Sequence, residues 1–358
     1  MSRFFTGRLS GLTPYVPGEQ PQDKQYVKLN TNESPFPPSD GVGNAVCEEA
    51  GKLQLYSDPE CVALRNAMAK QYGVDPAWII MNNGSDETLN FAFMAFADEK
   101  HPLIFPDITY GFYPVFAEIN HIPYEEIPLA ADFTIRTEDY LVSGKTAVIA
   151  NPNAPTGRYL PLAEIERIVA ADPDRVVIVD EAYIDFGGES AVPLVKKYAN
   201  LFVTGTFSKS RSMAGVRLGF GIANPALIAD INTVKYSTNP YNVNRLTCRA
   251  GIAALKEQEY YSANCRIIIE NRAWTVAALE DRGFTVLPSM ANFVLAGSGM
   301  IDGETLYRKL KEKGVLVRHF SKERIRNYVR ITIGTKEQMQ ILTEKIDEII
   351  KERENEKS

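Results

Sequence analysis

The chain alternates between short, almost continuous apolar runs and longer stretches in which apolar residues recur at helical spacing. Between about residues 78 and 210 the apolar runs are only a few residues long. Such runs, separated by amphipathic segments, are typical of a parallel sheet that helices cover on both faces. The pattern predicts strands in WIIMNNG (78–84), PLIFPD (102–107), TAVIANPN (146–153), RVVIVDEAY (175–183) and LFVTGTFSKS (201–210).

Helical spacing of apolar residues predicts the elements that lie between these strands. The third of these helices follows a strand and a glycine, and Ser85 or Asp86 is suited to cap its amino end. The predicted helices cover residues 42–54, 60–72, 85–97, 109–119 and 162–171.

The pattern changes after about residue 240, which indicates a second, smaller α+β unit. A long helix is expected from Arg245 to about Arg282, with a break near Gln258. Short strands follow, interleaved with a helix at 303–313. An amphipathic helix from Lys336 to about Glu352 ends the pattern, and the RENEKS tail is expected to fray.

The first forty residues are rich in proline, glycine and asparagine, which favours an extended arm over regular structure. The chain is thus predicted to have an arm at 1–40 that packs with the small domain, a large domain at 41–245 and a small domain at 246–358. The expected fold class is α/β, with a mostly parallel sheet in the large domain.

Composition excludes several classes of protein. The 358 residues are 45% hydrophobic and 23% charged, which excludes disorder as the main state. A net charge of −6 gives no general attraction to nucleic acid or to anionic membranes. The amino-terminal segment lacks the apolar region of a signal peptide, and no apolar run approaches the ~18 residues of a membrane helix. We expect a cytoplasmic protein that binds neither nucleic acid nor membrane.

Cysteine and histidine spacing gives no sign of a metal site or of a disulfide framework. The three histidines are scattered, and the four cysteines form no Cys-x-x-Cys pair. We expect free thiols in a reducing compartment. The cysteines are Cys47, Cys61, Cys248 and Cys265.

Familiar nucleotide-binding and hydrolase motifs are incomplete or missing. SGKT at 143–146 resembles the end of a phosphate-binding loop, but Asp139 stands where that loop needs glycine. GFG at 219–221 and GSG at 297–299 lack the third glycine of a dinucleotide fingerprint, and GxSxG does not occur.

Nearly every predicted strand of the large domain ends at polar residues. In a doubly wound sheet, ligands bind at the carboxyl ends of the strands, so several polar clusters at one edge predict a binding site. The clusters are Gly84-Ser85-Asp86, Tyr110, Asn151 to Gly157, Asp180 to Tyr183, and Ser208-Lys209 with Arg217.

This set resembles the fold-type I pyridoxal-phosphate aminotransferases, and within them it is most similar to the histidinol-phosphate aminotransferases. The resemblance implies a transaminase that uses pyridoxal phosphate. It would interconvert L-histidinol phosphate and 2-oxoglutarate with imidazole-acetol phosphate and glutamate. The segments that carry it are LTPY (12–15), LNTNESPF (29–36), NPNAPTG (151–157), VDEAYIDF (179–186), TFSKSRSMAGVRLGF (206–220), PYNVN (240–244) and VRITIGT (329–335).

The resemblance assigns the central chemistry to residues that follow two strands. Lys209 would form the Schiff base with the cofactor's aldehyde and later move the substrate's α-proton. Asp180 would face the protonated ring nitrogen, where a carboxylate favours the charged form. Tyr183 resembles the family's donor to the ring phenolate. From the residues alone, Lys209 also fits a surface lysine and Asp180 a turn or cap acid.

The cofactor phosphate needs backbone N–H groups, a helix amino end and an arginine. Ser85 and Asp86 open a helix, and Ser208 and Arg217 would complete the site by resemblance. A plain helix cap explains Ser85 and Asp86 almost as well. Tyr110 resembles the aromatic residue that stacks on the cofactor ring, although it also fits core packing.

The chain departs from the family pattern just before Pro-Thr-Gly. Ala154 stands there, where the family often has an asparagine that donates to the cofactor's ring oxygen. Asn153 is our candidate for this role. Asn151 could also take it, or Tyr183 could act alone.

The substrate-binding residues are also assigned by resemblance. Arg330 would hold one acidic end, because a guanidinium fork suits a carboxylate. Arg318 and Tyr15 would hold the phosphate of histidinol phosphate, and Asn32 belongs to the same substrate site. Arg318 equally fits a surface strand residue. Tyr56 resembles the residue that reaches the neighbouring subunit's cofactor, which implies a homodimer.

Two alternatives stay open at this point, and a third is disfavoured. Phenylalanine or tyrosine could be a second amino donor, and relatives that decarboxylate threonine phosphate share the Lys209 and Asp180 positions. LNTNESPF and PYNVN favour transamination over decarboxylation. Aminotransferase-like domains also serve as ligand sensors fused to DNA-binding modules, but this chain has no room for a basic helical module.

Overall fold

The apolar runs of the sequence become the central strands of one large sheet. The computed structural model describes residues 2–357. Its strands are β1 (Val27–Lys28), β2 (Ile79–Asn82), β3 (Leu103–Pro106), β4 (Tyr124–Ile127), β5 (Thr146–Ala150), β6 (Val177–Asp180), β7 (Leu201–Thr206), β8 (Gly219–Ala223), β9 (Phe284–Val286), β10 (Phe293–Ser298), β11 (Val315–Leu316), β12 (Arg318–His319) and β13 (Tyr328–Thr332).

Ten α-helices cover and connect the strands in the part of the chain that the structure describes. No helix within residues 2–357 combines the length and the apolar character needed to cross a membrane. The helices are α1 (Asp40–Ala50), α2 (Val62–Tyr72), α3 (Ser85–Phe96), α4 (Phe112–Ile119), α5 (Leu162–Ala170), α6 (Pro225–Thr238), α7 (Arg245–Lys256), α8 (Gln258–Glu280), α9 (Gly303–Glu312) and α10 (Lys336–Lys357).

The large sheet has the strand order β2-β8-β7-β6-β5-β3-β4. Its pairings are parallel except those of β8, which runs antiparallel to both neighbours. Strands β2, β3, β5 and β6 are buried along their whole length, because helices cover both faces. The predicted α/β class with a mostly parallel sheet is confirmed.

Two strands of this sheet and helix α6 escaped the sequence analysis. Strand β4 is exposed and carries two glutamates, so it shows no apolar run. Strand β8 carries glycines because its neighbours lie too close for a side chain. A Cβ on Gly221 would meet the Phe202 ring at 2.3 Å, and one on Gly219 would meet the backbone of Gly84 and Ser85.

Several predicted helix ends differ from those observed, and two of them concern a cap and the carboxyl-terminal tail. The residue that caps α3 is Gly84, with φ of 84°, and Ser85 is already helical, so the predicted cap was wrong. At the other end of the chain, α10 continues to Lys357, so residues 353–357 of the RENEKS segment do not fray as expected, and Ser358 lies outside the described residues. Glu352 accepts hydrogen bonds from Lys313, which ties this part of α10 to the rest of the unit.

A second sheet, of strand order β12-β13-β10-β9, is antiparallel and forms its own hydrophobic core with α8, α9 and α10. The arm reaches this unit, because β1 pairs in parallel with β11.

The partition into domains remains a proposal, and the packing shifts one of its boundaries. Ala250, Ala254 and Tyr261 belong to the core of the large sheet, although they follow the predicted boundary at 245. Cys265 and Ile268, farther along α8, belong to the second core. The change of packing partner therefore occurs within α8.

Candidate active site

A cleft opens at the carboxyl ends of β5, β6 and β7, where the sheet leaves a cavity of about 450 Å³. The last residues of these strands, Ala150, Asp180 and Thr206, line it. A neighbouring cavity of about 630 Å³ shares Lys209 and Tyr183 with the first and extends to the second sheet. The two cavities form one continuous cleft. Among residues 2–357, no group of histidine, cysteine, aspartate or glutamate side chains is arranged to hold a metal ion.

Lys209 lies three residues beyond the end of β7, and buried Phe207 anchors the intervening turn in the core. The Lys209 amine donates a long hydrogen bond, 3.4 Å, to the carbonyl oxygen of Thr31. It lies 5.6 Å from the centroid of the Tyr183 ring. The amine therefore faces the cleft with one weak hydrogen bond, an arrangement that suits a nucleophile and a proton carrier.

Asp180 is the last residue of β6 and is buried in the cleft floor. Its carboxylate accepts hydrogen bonds from the Tyr113 hydroxyl at 2.9 Å and from the Ala182 backbone N–H at 3.2 Å. Burial raises the pKa of Asp180 to about 6, although both hydrogen bonds act in the opposite direction. A cationic group placed against this carboxylate would relieve the cost of its burial.

The amino end of α3 forms a cradle at the side of the cleft. The first backbone N–H groups of a helix have no partner within it, so Ser85 and Asp86 present donors there. The Arg217 guanidinium closes the cradle and donates to the Asp86 carboxylate at 3.1 Å. Glycine suits position 84, because its φ of 84° is a conformation that residues with a side chain rarely adopt. The cradle suits an anion.

Ser208 and Tyr110 border the same cradle. The Ser208 hydroxyl accepts a hydrogen bond from Thr206 at 2.9 Å, and Thr206 also accepts one from the Ser208 backbone N–H. The Tyr110 hydroxyl donates to Asp86 at 2.8 Å, and its ring meets Tyr113 edge to face at 5.6 Å. The face of Tyr110 is thus held at the cleft wall, as a ring-stacking residue requires.

The predicted role of Asn153 does not fit the structure. Its amide donates to the Ile108 carbonyl and to the Thr156 hydroxyl, and its oxygen accepts from Thr109. The side chain therefore stabilises its own loop and does not line the cleft, whereas Ala154 does. Asn151, the second possibility, is bound on both sides to the backbone of Leu160.

At the other end of the cleft, half-buried Arg330 lies between two aromatic rings. Its guanidinium carbon lies 5.4 Å from the Phe293 ring centroid and 5.6 Å from that of Phe320. Nη2 donates to the Asn30 carbonyl at 2.9 Å, and buried Nε has no hydrogen-bond partner. Burial lowers the pKa of Arg330. A half-buried cation whose buried Nε has no partner suits an anion.

Arg318 and Tyr15 line the same end and are tied to the arm. The Arg318 guanidinium donates to the carbonyl oxygens of Val16 and Pro17, at 2.9 and 3.1 Å. The Tyr15 ring stacks on Phe112 at 4.2 Å, so the arm bridges the two units of the chain. Part of the guanidinium's donor capacity therefore already stabilises the arm.

Asn32 joins the arm to both sheets. Its backbone adopts a φ of 56°, and its amide donates to the Tyr183 hydroxyl at 3.0 Å. Its side-chain oxygen and backbone N–H both bind the Thr332 hydroxyl. Asn32 thus orients Tyr183, the side chain expected to act where Ala154 supplies no donor.

Tyr56 lies outside the cleft that the other predicted residues share. It is 79% exposed, and its ring stacks on Tyr241 at 4.6 Å. The Arg245 guanidinium donates to its backbone carbonyl and holds the loop in place.

The sequence analysis missed Tyr113, Thr31 and Glu33. Tyr113 touches Asp180, whereas Thr31 and Glu33 line the cleft beside Lys209. The only local signal for Tyr113 was its place three residues after Tyr110 in an apolar helix. That spacing shows a shared helix face and nothing about its hydrogen bond.

These side chains fit the pyridoxal phosphate that the sequence led us to expect. An anion cradle at the amino end of α3, an amine with one long hydrogen bond and a buried carboxylate all line a single cavity. Their chemistry matches a phosphate, an aldehyde and a ring nitrogen.

Comparisons with known proteins agree with this arrangement. The family model for aminotransferase class I and II matches residues 24–346. Histidinol-phosphate aminotransferase of Aromatoleum aromaticum is 47% identical over 356 residues, which cover 98% of this chain and 100% of that protein. The enzyme of the same name from Marinomonas sp. is 49% identical over 96% of this chain and 98% of its own.

The fold is also that of a solved structure. The crystal structure of histidinol-phosphate aminotransferase from Sinorhizobium meliloti, in complex with pyridoxal-5'-phosphate, matches with a TM-score of 0.89. The match covers 98% of this chain and 99% of that one. At 24% identity this likeness shows the shared fold alone.

Proposed function

The chain belongs to the aminotransferase class I and II family, and we propose that it is the pyridoxal-phosphate-dependent transaminase of L-histidinol phosphate. It exchanges the amino group between that substrate and 2-oxoglutarate, with imidazole-acetol phosphate and glutamate as products, in histidine biosynthesis. One observation carries the proposal: Lys209 and Asp180 line the same cavity as the anion cradle, and the adjoining cavity ends at the arginine pair Arg318 and Arg330.

Each residue at the cofactor end has a separate task. Bound pyridoxal phosphate supplies an aldehyde for the amine and a ring that delocalises the electrons of the broken C–H bond. Ser85, Asp86, Ser208 and Arg217 hold its phosphate, and Tyr110 packs against its ring. The Lys209 amine carries a proton from and to the substrate's α-carbon.

The two arginines bind the acidic groups of the substrates. Arg330 serves in both half-reactions: it holds a carboxylate of glutamate in one, and it supports the binding of histidinol phosphate in the other. Arg318, beside the arm, holds the phosphate of histidinol phosphate together with Tyr15, and Asn32 completes the site. Histidinol phosphate has no carboxylate on its amino-bearing carbon, so a site built for it must bind the phosphate instead.

We further propose that the active unit is a cytoplasmic homodimer. Large apolar side chains are exposed around Tyr56, at 58% for Leu53, 55% for Leu55 and 44% for Tyr241. Contiguous exposed apolar groups mark an interaction surface. Tyr56 on this surface would reach the neighbouring subunit's cofactor phosphate.

The substrate assignment is tested by visible absorbance of the purified protein. L-Histidinol phosphate is added without any keto acid, and the bound cofactor's band should disappear at low substrate concentration. If only phenylalanine or tyrosine removes the band, the chemistry holds and the substrate assignment fails. Loss of carbon dioxide from threonine phosphate would identify a decarboxylase. If added pyridoxal phosphate produces no band, the cofactor assignment fails.

The dimer proposal is tested by mixing two impaired variants, Lys209→Ala and Tyr56→Ala. If Tyr56 acts across the interface, a mixed dimer contains one site with both native residues, and activity rises on mixing. If Tyr56 acts within its own chain, mixing restores nothing. Sedimentation of each variant checks that both still form dimers.

A further inference from the structure

We propose that Tyr113 is a positioning residue for the reaction: its hydroxyl keeps the Asp180 carboxylate ionised and aligned for the cofactor's ring nitrogen. The inference rests on the proposed function only in its use of pyridoxal phosphate. It does not depend on which amino compound is the substrate.

The hydrogen bond comes from a side chain that has no freedom to turn away. Tyr113 lies in α4, is fully buried, and packs against Phe93 at 6.0 Å and Phe105 at 5.7 Å between ring centroids. Its hydroxyl lies 2.9 Å from Asp180 Oδ2. The second carboxylate oxygen, Oδ1, accepts from the Ala182 backbone N–H. These two bonds fix the plane of the carboxylate.

The donor is neutral, and this determines what it can do for Asp180. Burial and the nearby Asp180 charge raise the pKa of Tyr113 well above its usual range, so its hydroxyl keeps its proton and always donates. Such a donor favours the ionised carboxylate without cancelling its charge. An arginine or lysine in its place would pair with Asp180 and leave less attraction for a protonated ring nitrogen.

The position of Tyr113 in α4 also links Asp180 to the wall of the cleft. Tyr110, expected to stack on the cofactor ring, starts the same segment and contacts Tyr113 edge to face. The amino end of α4 therefore positions both Tyr110, the residue expected to stack on the cofactor ring, and Tyr113, the hydrogen-bond donor to Asp180. A shift of α4 would move both together.

The test uses Tyr113→Phe, which removes the hydroxyl and keeps the packed ring. Fluorescence titration of the cofactor-free protein measures the affinity for pyridoxal phosphate and for its 1-deaza analogue, in which carbon replaces the ring nitrogen. Because the lost hydrogen bond is made to a charged group, pyridoxal phosphate should bind roughly tenfold or more weakly. Affinity for the analogue should not change.

A matched control is available in Tyr140→Phe. Tyr140 is equally buried, but its hydroxyl has no hydrogen-bond partner, so its removal should leave both affinities unchanged. Equal losses for cofactor and analogue in Tyr113→Phe would show that the residue only packs, and would overturn the proposal. No loss for either ligand would also overturn it.

A second readout does not need the cofactor and separates this inference from the proposed function. The carboxyl carbon of Asp180 is followed against pH by NMR in the cofactor-free protein, with Asp180→Asn to assign its signal. The pKa of Asp180 should be higher in Tyr113→Phe than in the native chain. An unchanged pKa would contradict the inference, whereas failure to bind pyridoxal phosphate would contradict the proposed function alone.

Discussion

The two ends of the cleft are built in different ways. At the cofactor end, Asp180 is the last residue of β6, and Lys209 follows the adjacent strand β7. Tyr113 of α4 donates to Asp180, and Asp86 of α3 accepts a hydrogen bond from Arg217. At the substrate end, Arg318 and Arg330 lie in the second sheet, and backbone carbonyls of the irregular arm accept their hydrogen bonds.

This difference separates chemistry from substrate choice. The cofactor end depends on strands whose positions the core of the large sheet determines. The substrate end depends on an arm joined to residues about 300 positions away, as in the contact between Arg330 and Asn30. A substitution in the arm can therefore alter substrate binding while the cofactor end keeps its geometry. Variants at the two ends should fail in different measurements.

Lys209→Ala gives the largest effect and acts at the cofactor end alone. A positioned acid–base group contributes up to about 10⁴-fold to rate, so turnover should fall by roughly that factor. The free energy of unfolding of the cofactor-free protein should be nearly unchanged, because Lys209 makes only one long hydrogen bond. Lys322→Ala is the control, since Lys322 also lines the cleft but already donates to the Asp107 carbonyl. A comparable loss in the control would contradict the assignment.

Arg330→Lys should weaken substrate binding in both half-reactions and leave the cofactor spectrum unchanged. The substitution keeps the charge but loses the guanidinium fork, and we expect KM to rise roughly 100-fold. Arg318→Lys provides the comparison, with a rise confined mainly to histidinol phosphate. Half-reaction titrations with glutamate and with histidinol phosphate distinguish the two. Equal behaviour of the variants would show that the arginines share one task.

Glu181→Gln should change how the free energy of unfolding depends on pH. Glu181 directly follows Asp180, so this effect belongs to the cofactor end. Burial raises the pKa of Glu181 to about 8, although Ser190 and the Ala191 N–H bind its carboxylate. The folded protein then holds a proton that the unfolded chain has released. The free energy of unfolding should fall by about 1.4 kcal/mol per pH unit as pH rises toward 8.

The measurement is denaturant unfolding of the cofactor-free protein between pH 7 and 8, above most of the range in which Asp180, with a pKa of about 6, titrates. Native protein should lose stability across this range, and Glu181→Gln should lose markedly less. Parallel curves would mean that Glu181 is ionised throughout. Arg330 contributes no such slope, because an arginine stays protonated at these pH values even when burial lowers its pKa.

Asn32→Ala should give the smallest effect and the only one that spans both ends. It removes the hydrogen bonds to Tyr183 and Thr332 and places a Cβ residue at a φ of 56°. We expect a loss of about 1–2 kcal/mol in unfolding free energy and a modest rise in KM. In Asn32→Gly the backbone can keep its positive φ, but the side chain is missing. An equal rise of KM in this variant would therefore assign the effect to the loss of the Asn32 amide. Full activity in both variants would exclude a role for the hydrogen bonds that join Asn32 to Tyr183 and Thr332.

The local pattern of apolar and polar residues was sufficient to predict the strands that position the residues at the cofactor end. Continuous apolar runs exist because strands β2, β3, β5 and β6 are covered on both faces, and the polar residues after them must meet at one sheet edge. Strand β4, which is exposed, and β8, which is rich in glycine, left no such pattern. Their existence depends on edge position and on close backbone approach, and neither is a property of a short window of sequence.

The sequence by itself therefore determined the sheet class, the strand-end residues such as Asp180 and Lys209, and through its motifs the aminotransferase family. Tertiary structure alone decided that Asn153 serves its own loop, that Tyr113 holds Asp180 and that Asn32 joins the arm to both sheets. The physical reason is that a hydrogen bond depends on which donor and acceptor meet at about 3 Å. For residues far apart in the chain, only the packing of the whole molecule sets that distance.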